Sequence, residues 1–494
     1  MNTKNLIVIF FLLSTSTLLA QTQLGIIKDP KWNVSAGFQS VTGSTLRLSD
    51  RNMAMIVNMP EGDFAVTGID DKLNQSWLSP LSGFPLGFGL FKDQILVVAA
   101  ADKSFFKNFS GAYKAYLLDK NSGKLLSEKI IYTSNPDFIE EPELYFAKDG
   151  SYFRMSVRLT AMKRKVSILA VSTSDKAFRN TQGYSVVNFD DQMNQRQKIQ
   201  PQFPDGETWT ASNSTDGSLF ITVVNSTAGK INAGMYTSTG AEPISTVSIP
   251  LDLKKGSEIQ SIRSLSGAQP FINYLSVVYV DQNKEVALLT TKINFANKTF
   301  ESVKEAFDSK HVKMLEKAFV AVNKKYDDLQ FSKLEFLSIK HMQEFENNLL
   351  VSVAPGYEQG GGSGAGNFEG SILINVYDQD FKSAYHQFIP RTYMSVSGEG
   401  SEVSYSLSSS NTLRMVANVR PGSLSGLSSV LAEMNFKTGQ MLRLNRIPGD
   451  DVKSGFYVHA PSVIWLNDVC ILPYFDRQRV LRTTRDVQLQ LLKY

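Results

Sequence analysis

An all-β fold built from repeated antiparallel hairpins is predicted by three observations. The stretch 111–130, GAYKAYLLDKNSGKLLSEKI, reads as strand, tight turn and strand. Tyr113, Ala115 and Leu117 alternate at the period of two that a pleated strand imposes, putting one face inward, and Asp119, Asn121 and Gly123 supply turn chemistry. Turns of this kind recur near residues 50, 93, 149, 216, 267, 347, 410 and 467, at intervals of 43 to 80 residues. A second series, at Asp70, Asp119, Asp190, Thr237, Asn294, Asp378 and Asn435, alternates with the first.

Two hairpins in succession make a four-stranded unit. Such a unit is one blade of a β-propeller, which hides its sheet faces against neighbouring blades and leaves only short edges. The turn count gives eight blades, with seven as the alternative, because 175–182 is ambiguous and a terminal strand from one end can complete a blade at the other. Separate β-sandwiches would call for a linker rich in Pro, Gly or charge, and the sequence has no clear one.

In order, the first blade takes Leu46 and Leu48, a polar turn at 49–52, the runs 53–59 and 64–69, and a turn at 70–74 leading to Trp77. The second takes 88–90, a turn at 92–94, the run 95–101 and the hairpin 112–130. Further inner turns fall at Lys148-Asp149-Gly150, Thr215-Asp216-Gly217, Ser266-Gly267, 346–348, 409–411 and 466–468, and 477–492 is expected to supply the last pair of strands. One insertion, 303–328, breaks the pattern. Val312, Leu315, Phe319 and Val322 form the apolar stripe of an amphipathic helix, Asp308 or Ser309 is placed to cap it, and Lys310, Lys313, Lys317, Lys324 and Lys325 crowd its polar side. Packing on the propeller rim or mouth accounts for it better than partner docking.

The chain has 494 residues, 42% hydrophobic and 20% charged, which is enough apolar material for a sizeable core. Residues 2–4 give a polar, positive start, 6–13 an apolar run and 14–20 a region of small residues, so 1–20 is expected to be a secretory signal peptide cleaved before Gln21. The apolar run is too short to span a membrane. Residues 21–494 are then expected to form one propeller, exported without lipid, periplasmic in preference to extracellular, and monomeric. The net charge of +4, or +3 without Lys4, argues against a nucleic-acid partner. Cys470 is the single cysteine, in the apolar run 469–472. It reads as a core residue, excludes an intramolecular disulfide, and lies far from the position where a lipoprotein needs its cysteine.

The segment LLDKNSGKLL, 117–126, resembles the repeat of quinoprotein-like propellers, and Asn435, Thr438, Gly439 and Met441 match it more weakly. The resemblance implies architecture. Quinoprotein alcohol dehydrogenases also carry adjacent cysteines over the cofactor, which a lone Cys470 cannot supply, so no cofactor is assigned. The layout of 307–390, with HVKMLEKAFVAVNKKYDDL followed by a hairpin, a Gly-rich loop and ILINVYDQDFKSAYHQFIP, is similar to exported propeller-like proteins of the Bacteroidetes without assigned activity.

Chemical motifs are sparse. The Gly-rich run 355–370 lacks the Lys-Ser/Thr of a P-loop and reads as a flexible loop. Asp119, Asn121 and Gly123 depart from calcium-loop spacing. His311, His341, His386 and His459 have no metal-ligand spacing and read as surface or packing residues. The acidic pairs at 70–71, 140–141, 190–191, 327–328 and 450–451 fall mostly at turns or helix ends, and sialidase boxes are missing. Function is therefore expected on one face of the ring, where the second-to-third strand connections emerge and three of them, 102–111, 355–370 and 420–426, are long. Candidate binding residues there are Phe105, Phe106, Lys107, Phe109, Tyr357 and Phe368, with Lys163 and Arg164 in the third unit; the aromatic rings could equally serve to pin their loops. The expected activity is non-catalytic binding of a protein, peptide or glycan of the cell envelope. The alternative is a hydrolase or lyase with its site in the central channel.

Overall fold

The computed structural model describes residues 22–27, 33–35 and 44–493, apart from 60–62, 102–110, 134–137, 162–180, 201–207, 252–256, 318–335, 360–365, 396–399, 420–427, 448–455, 477–483 and a few isolated positions. The chain opens with β1 (Thr22–Ile27) and β2 (Asn33–Ser35). Blade 1 is β3 (Thr45–Arg47), β4 (Asn52–Asn58), β5 (Phe64–Asp70) and β6 (Gln75–Leu81); blade 2 is β7 (Phe84–Phe91), β8 (Gln94–Ala100), β9 (Ala112–Asp119) and β10 (Leu125–Thr133). Blade 3 is β11 (Phe138–Phe146), β12 (Phe153–Ala161), β13 (Thr181–Phe189) and β14 (Gln195–Ile199); blade 4 is β15 (Thr208–Asn213), β16 (Leu219–Asn225), β17 (Lys230–Tyr236) and β18 (Ser245–Pro250). Blade 5 is β19 (Glu258–Ser266), β20 (Ile272–Val280), β21 (Val286–Asn294) and β22 (Thr299–Ala306).

Blade 6 is β23 (Leu337–Phe345), β24 (Asn348–Gln359), β26 (Ile372–Tyr377) and β27 (Ser383–Ile389), extended by β25 (Gly366–Glu369) and β28 (Tyr393–Ser395). Blade 7 is β29 (Val403–Leu407), β30 (Thr412–Val419), β31 (Ser428–Asn435) and β32 (Met441–Arg446). Blade 8 begins with β33 (Phe456–Val458), a 3-10 turn at Ala460–Ser462 and β34 (Ile464–Trp465), continues with β35 (Val469–Asp476) and β36 (Thr484–Lys493), and takes β1 as its outer strand. Seven of the eight sheets are thus meanders, the blade 6 meander carries the β25–β28 extension, and the last sheet is completed from the N-terminal end. The expectation that 477–492 supplies a pair of strands is corrected: among the described residues of that stretch β36 is the one strand, and the outer strand of the blade is β1, whose Gln23 pairs with Leu492.

Ring closure follows from side-chain alternation. In β4, Met53, Met55 and Val57 pack with Ile471 and Leu489 of blade 8, while Ala54 and Ile56 pack with Phe88 and Ile95 of blade 2. In β9, Tyr113, Ala115 and Leu117 face blade 3, but Tyr116 and Leu118 are buried as well, against blade 1. A blade is covered on both faces, so its central strands bury both alternating sets. Every seam has its own apolar cluster, including the one between blades 7 and 8 that buries Cys470 completely. At the closing seam, the Ser44 amide donates to Ser462 Oγ at 2.8 Å and the two hydroxyls lie 2.9 Å apart. Thr45 Oγ1 donates to the Ser462 carbonyl at 2.7 Å, and Arg47 Nη1 to that of Trp465 at 3.0 Å.

The Asp/Asn-x-x-Ser/Thr-Gly turns gain a structural explanation. Asp119 Oδ1 accepts from the Asn121 and Ser122 amides, and Gly123, at φ +70°, donates to the Asp119 carbonyl with the Trp77 ring of blade 1 pressed where a Cβ would stand. Asn435 and Gly439 repeat the arrangement under Tyr385 of blade 6. Positive φ and contact with the preceding blade both demand glycine.

The helical insertion is shorter at its start than expected. Residues 303–306 belong to β22, and the described helical residues are Lys310, 312–315 and Lys317. Val312 and Leu315 do face the blade 5–6 core, as the stripe predicts, whereas Phe319 and Val322 lie outside the described residues. Among the described residues no helix is long and apolar enough to cross a membrane.

Candidate functional site: the axial well

The first strand of each blade has one edge unpaired within its sheet, and successive first strands lie side by side: β15 with β19, β19 with β23, β7 with β11, and β3 with β34. These strands encircle the axis. Each starts on the face where second-to-third connections emerge and runs towards the short turns, so charges on them line an axial well.

Such charges fall mainly in two places: Glu140, Glu141 and Glu143 on β11 of blade 3, where the acidic pair stands on a strand and not at a turn, and a group richer in cations on blades 5 to 7. In β23, the register slips between Ile339 and His341, making Lys340 the extra residue of a β-bulge. A bulge re-aims the side chain it carries. Here Lys340 Nζ reaches Glu369 on β25, 2.9 Å from Oε1 and 2.8 Å from Oε2. Glu369 is opposite Tyr393 of β28, and the Arg391 guanidinium lies 5.5 Å from the Tyr393 ring. Arg391 is fully buried; its Nε donates to the Asn418 carbonyl at 3.3 Å, its Nη2 to the Ser401 carbonyl, and its Nη1 has no partner among the described residues.

Next to Ser401 stands Glu402, exposed to water at the start of the inner strand of blade 7. Burial nevertheless raises its carboxyl above the ordinary value, with Glu369 adding to the rise and Arg391 and Lys340 opposing it. Arg263 of β19 has the same character: its side chain is exposed, yet burial lowers its guanidinium, opposed by Tyr405. Arg263 Nη1 donates to the Lys340 carbonyl at 2.6 Å, and no carboxylate pairs with it among the described residues.

Between these charges, His341 stacks on Tyr405 with centroids 4.2 Å apart and planes 6° from parallel. Burial, aided by the charges of Arg263 and Lys148 and opposed by a contact with Gln343, brings His341 down to about 4, so the ring is neutral near pH 7. Tyr405 is pushed up to about 12 by burial, and its hydroxyl lies 2.8 Å from Ser352 Oγ. A neutral imidazole stacked on a phenol, contacting an amide, lacks the nucleophile and orienting carboxylate of a catalytic triad. The packing role expected of His341 agrees with this.

Of the residues singled out from sequence, Phe105, Phe106, Lys107, Phe109, Lys163 and Arg164 lie outside the described residues. Tyr357 and Phe368 are placed in β24 and β25 instead of in a loop, because β24 continues past Pro355 and pairs with β25. Their rings lie 4.7 Å apart with planes tilted by 37°, and the Phe336 ring lies 5.6 Å from that of Tyr357, tilted by 34°. Phe368 and Glu369 are neighbours on one strand and so point to opposite faces. The aromatic stack and the charged well therefore lie on different sides of this extension. Sequence reading missed Arg263, Lys340 and Glu402, since each is a single charge on a different blade. Their signal was a charge inside, or at the mouth of, an inner strand, beside Glu258 in β19 and Glu344 in β23. Among the described residues no group of three or more His, Cys, Asp or Glu side chains could hold a metal.

No family model matches the sequence, and no curated protein matches it. Among solved structures, the chain is similar to the WD40 domain of SCAP from fission yeast, at 8% identity and a TM-score of 0.42, over 96% of this chain and 98% of that one. It is also similar to the Dos1 propeller, at 6% identity and 0.43 over 96% and 95%, and to the β-propeller domain of the Trilobed protease from Pyrococcus furiosus, at 8% and 0.37 over 83% and 96%. Likeness at these identities bears on the fold alone. The blade count rests on the sheets and seams described above.

Proposed function

We propose that the chain is an exported, non-catalytic, monomeric propeller that binds a protein, peptide or glycan of the cell envelope on the face where the axial well opens. The observation that carries this reading is the accessible, carboxylate-free guanidinium of Arg263 in a water-reachable well. A rigid scaffold that presents a guanidinium with donors to spare in a recess offers it to a ligand. The long connections bearing Phe105, Phe106, Lys107, Phe109, Lys163 and Arg164 would enlarge the contact around that opening. Affinity capture from the envelope fraction, comparing the wild type with Phe105, Phe106 and Tyr357 jointly changed to Ala and with Arg263→Gln, tests it; capture equal in all three contradicts it. Export rests on the leader-like 1–20, and N-terminal sequencing of protein from that fraction should begin at or near Gln21.

A second reading, a hydrolase or lyase, is favoured by one observation. Glu402 is pushed towards its neutral form while Glu369 is ion-paired with Lys340, and two carboxyls in contrasting environments can divide acid and base roles. Turnover of a glycoside or polyuronate panel that is lost in Glu402→Gln would establish it over binding alone.

A further inference from the structure

We propose that the axial well receives the carboxylate side chain of an acidic peptide segment, with Arg263 as its recognition group. This rests on the binding reading above and names its ligand. A guanidinium carries five N–H donors in a planar fork suited to a carboxylate. Arg263 spends one of them on the Lys340 carbonyl and has no carboxylate partner among the described residues. Its side chain is open to water, so the remaining donors can be reached without rearranging the core.

On the blade 5–7 side of the well the surroundings favour an anion, whereas β11 of blade 3 carries Glu140, Glu141 and Glu143. Lys340 and the fully buried Arg391 add positive charge near the mouth, where Glu369 is already engaged by Lys340. Arg391 Nη1 has no described partner, but the group is too buried to meet a ligand and acts only through its charge. Glu402 is left at the mouth as an acceptor for backbone amides of an entering peptide.

A peptide is favoured over a glycan by where the aromatic rings lie. Sugar recognition uses an open ring face beside the polar groups. Here His341 and Tyr405 are stacked on each other, and Tyr357 and Phe368 pack against each other, tilted, on the side of β25 away from Glu369. The unpaired edges of the inner strands offer further amide and carbonyl groups to an extended chain.

The test is an array of acetylated, amidated dodecapeptides carrying one to three Glu residues at varied positions, each beside its Gln counterpart, probed with the full-length exported protein. Hits are then titrated by fluorescence anisotropy, with tetragalacturonate as the acidic-sugar probe. At least tenfold tighter binding of Glu peptides than of their Gln counterparts is expected, lost tenfold or more in Arg263→Gln and partly kept in Arg263→Lys. Binding in Arg51→Gln, an exposed arginine next to the short turn of blade 1, should be unchanged. Matching thermal melts of the Arg263 variants would exclude misfolding, and should Arg263→Gln melt early, competition of a bound Glu peptide by free glutarate on the wild type gives the same readout. No preference for Glu over Gln, or a preference unchanged in folded Arg263→Gln, overturns the proposal. Arg263-dependent binding of tetragalacturonate without peptide binding overturns the ligand class. Envelope capture that persists in Arg263→Gln sinks this inference while leaving the binding reading in place.

Discussion

Leu489→Ala is the perturbation that reports most fully on how the ring is held. Leu489 is completely buried in β36, opposite Pro473 of β35 and Ile27 of β1, in the cluster that joins blade 8 to Met53 and Met55 of blade 1. Truncation removes three carbons, about 2.4 kcal/mol at about 0.8 kcal/mol per buried methylene. A residual void of about 50 Å³ adds about 1.2 kcal/mol at about 24 cal/mol per Å³. The expected loss is therefore about 3.6 kcal/mol, against under about 0.5 kcal/mol for Leu126→Ala on the exposed outer strand of blade 2. Urea unfolding at constant slope measures both, and hydrogen exchange locates the effect. Protection should fall in β4, β5, β35 and β36 before it falls in blades 4 and 5. A Leu489→Ala protein as stable as Leu126→Ala, or exchange that quickens uniformly around the ring, would refute a sealed blade 1–8 seam.

Three further outcomes are expected. Gly123→Ala should cost about 1 to 3 kcal/mol by urea unfolding, since it combines φ +70° with a collision against Trp77, while Lys124→Ala should be neutral; equal stabilities would show that the turn does not dock on blade 1. His341 holds a folded value of about 4 against 6.5 unfolded, so the folded state binds fewer protons between them. The associated stability is full above about pH 6.5 and lost as pH falls to about 4, amounting to about 3 kcal/mol that His341→Gln should abolish; identical pH profiles would contradict it. Deleting 22–27 should leave the edge of β36 open and shift the protein to soluble aggregates on size exclusion, and a monomeric, cooperatively melting deletion would count against closure by β1.

What the sequence made legible was local. All eight inner turns and seven outer turns stand where Asp, Asn and Gly placed them, because Asx hydrogen bonds such as Asp70 Oδ1 to the Asn74 amide, or Asp190 Oδ1 to the Asn194 amide, are made within a few residues. Long-range pairing was less legible: nothing near β36 shows that its outer partner is β1, more than 450 residues earlier. The insertion was bounded too early, since 303–306 complete the outer strand of blade 5, whereas the first described helical residue, Lys310, follows the cap expected at Asp308 or Ser309. The Gly-rich run concealed β24 and β25, whose pairing depends on β28 across the extension. The well escaped for the same reason, since Arg263, Lys340 and Glu402 meet only after three blades are assembled.

The closed eight-bladed ring is tested most directly by a disulfide across its seam. Ser44 and Ser462 are both fully buried with hydroxyl oxygens 2.9 Å apart, and the native Cys470 is too deeply buried to compete. In Ser44→Cys/Ser462→Cys, mild oxidation followed by non-reducing peptide mass mapping should recover the 44–462 linkage within a single chain, with the circular dichroism of the β-rich fold unchanged. Free thiols after oxidation of the folded protein, or a linkage found only between chains, would contradict the ring.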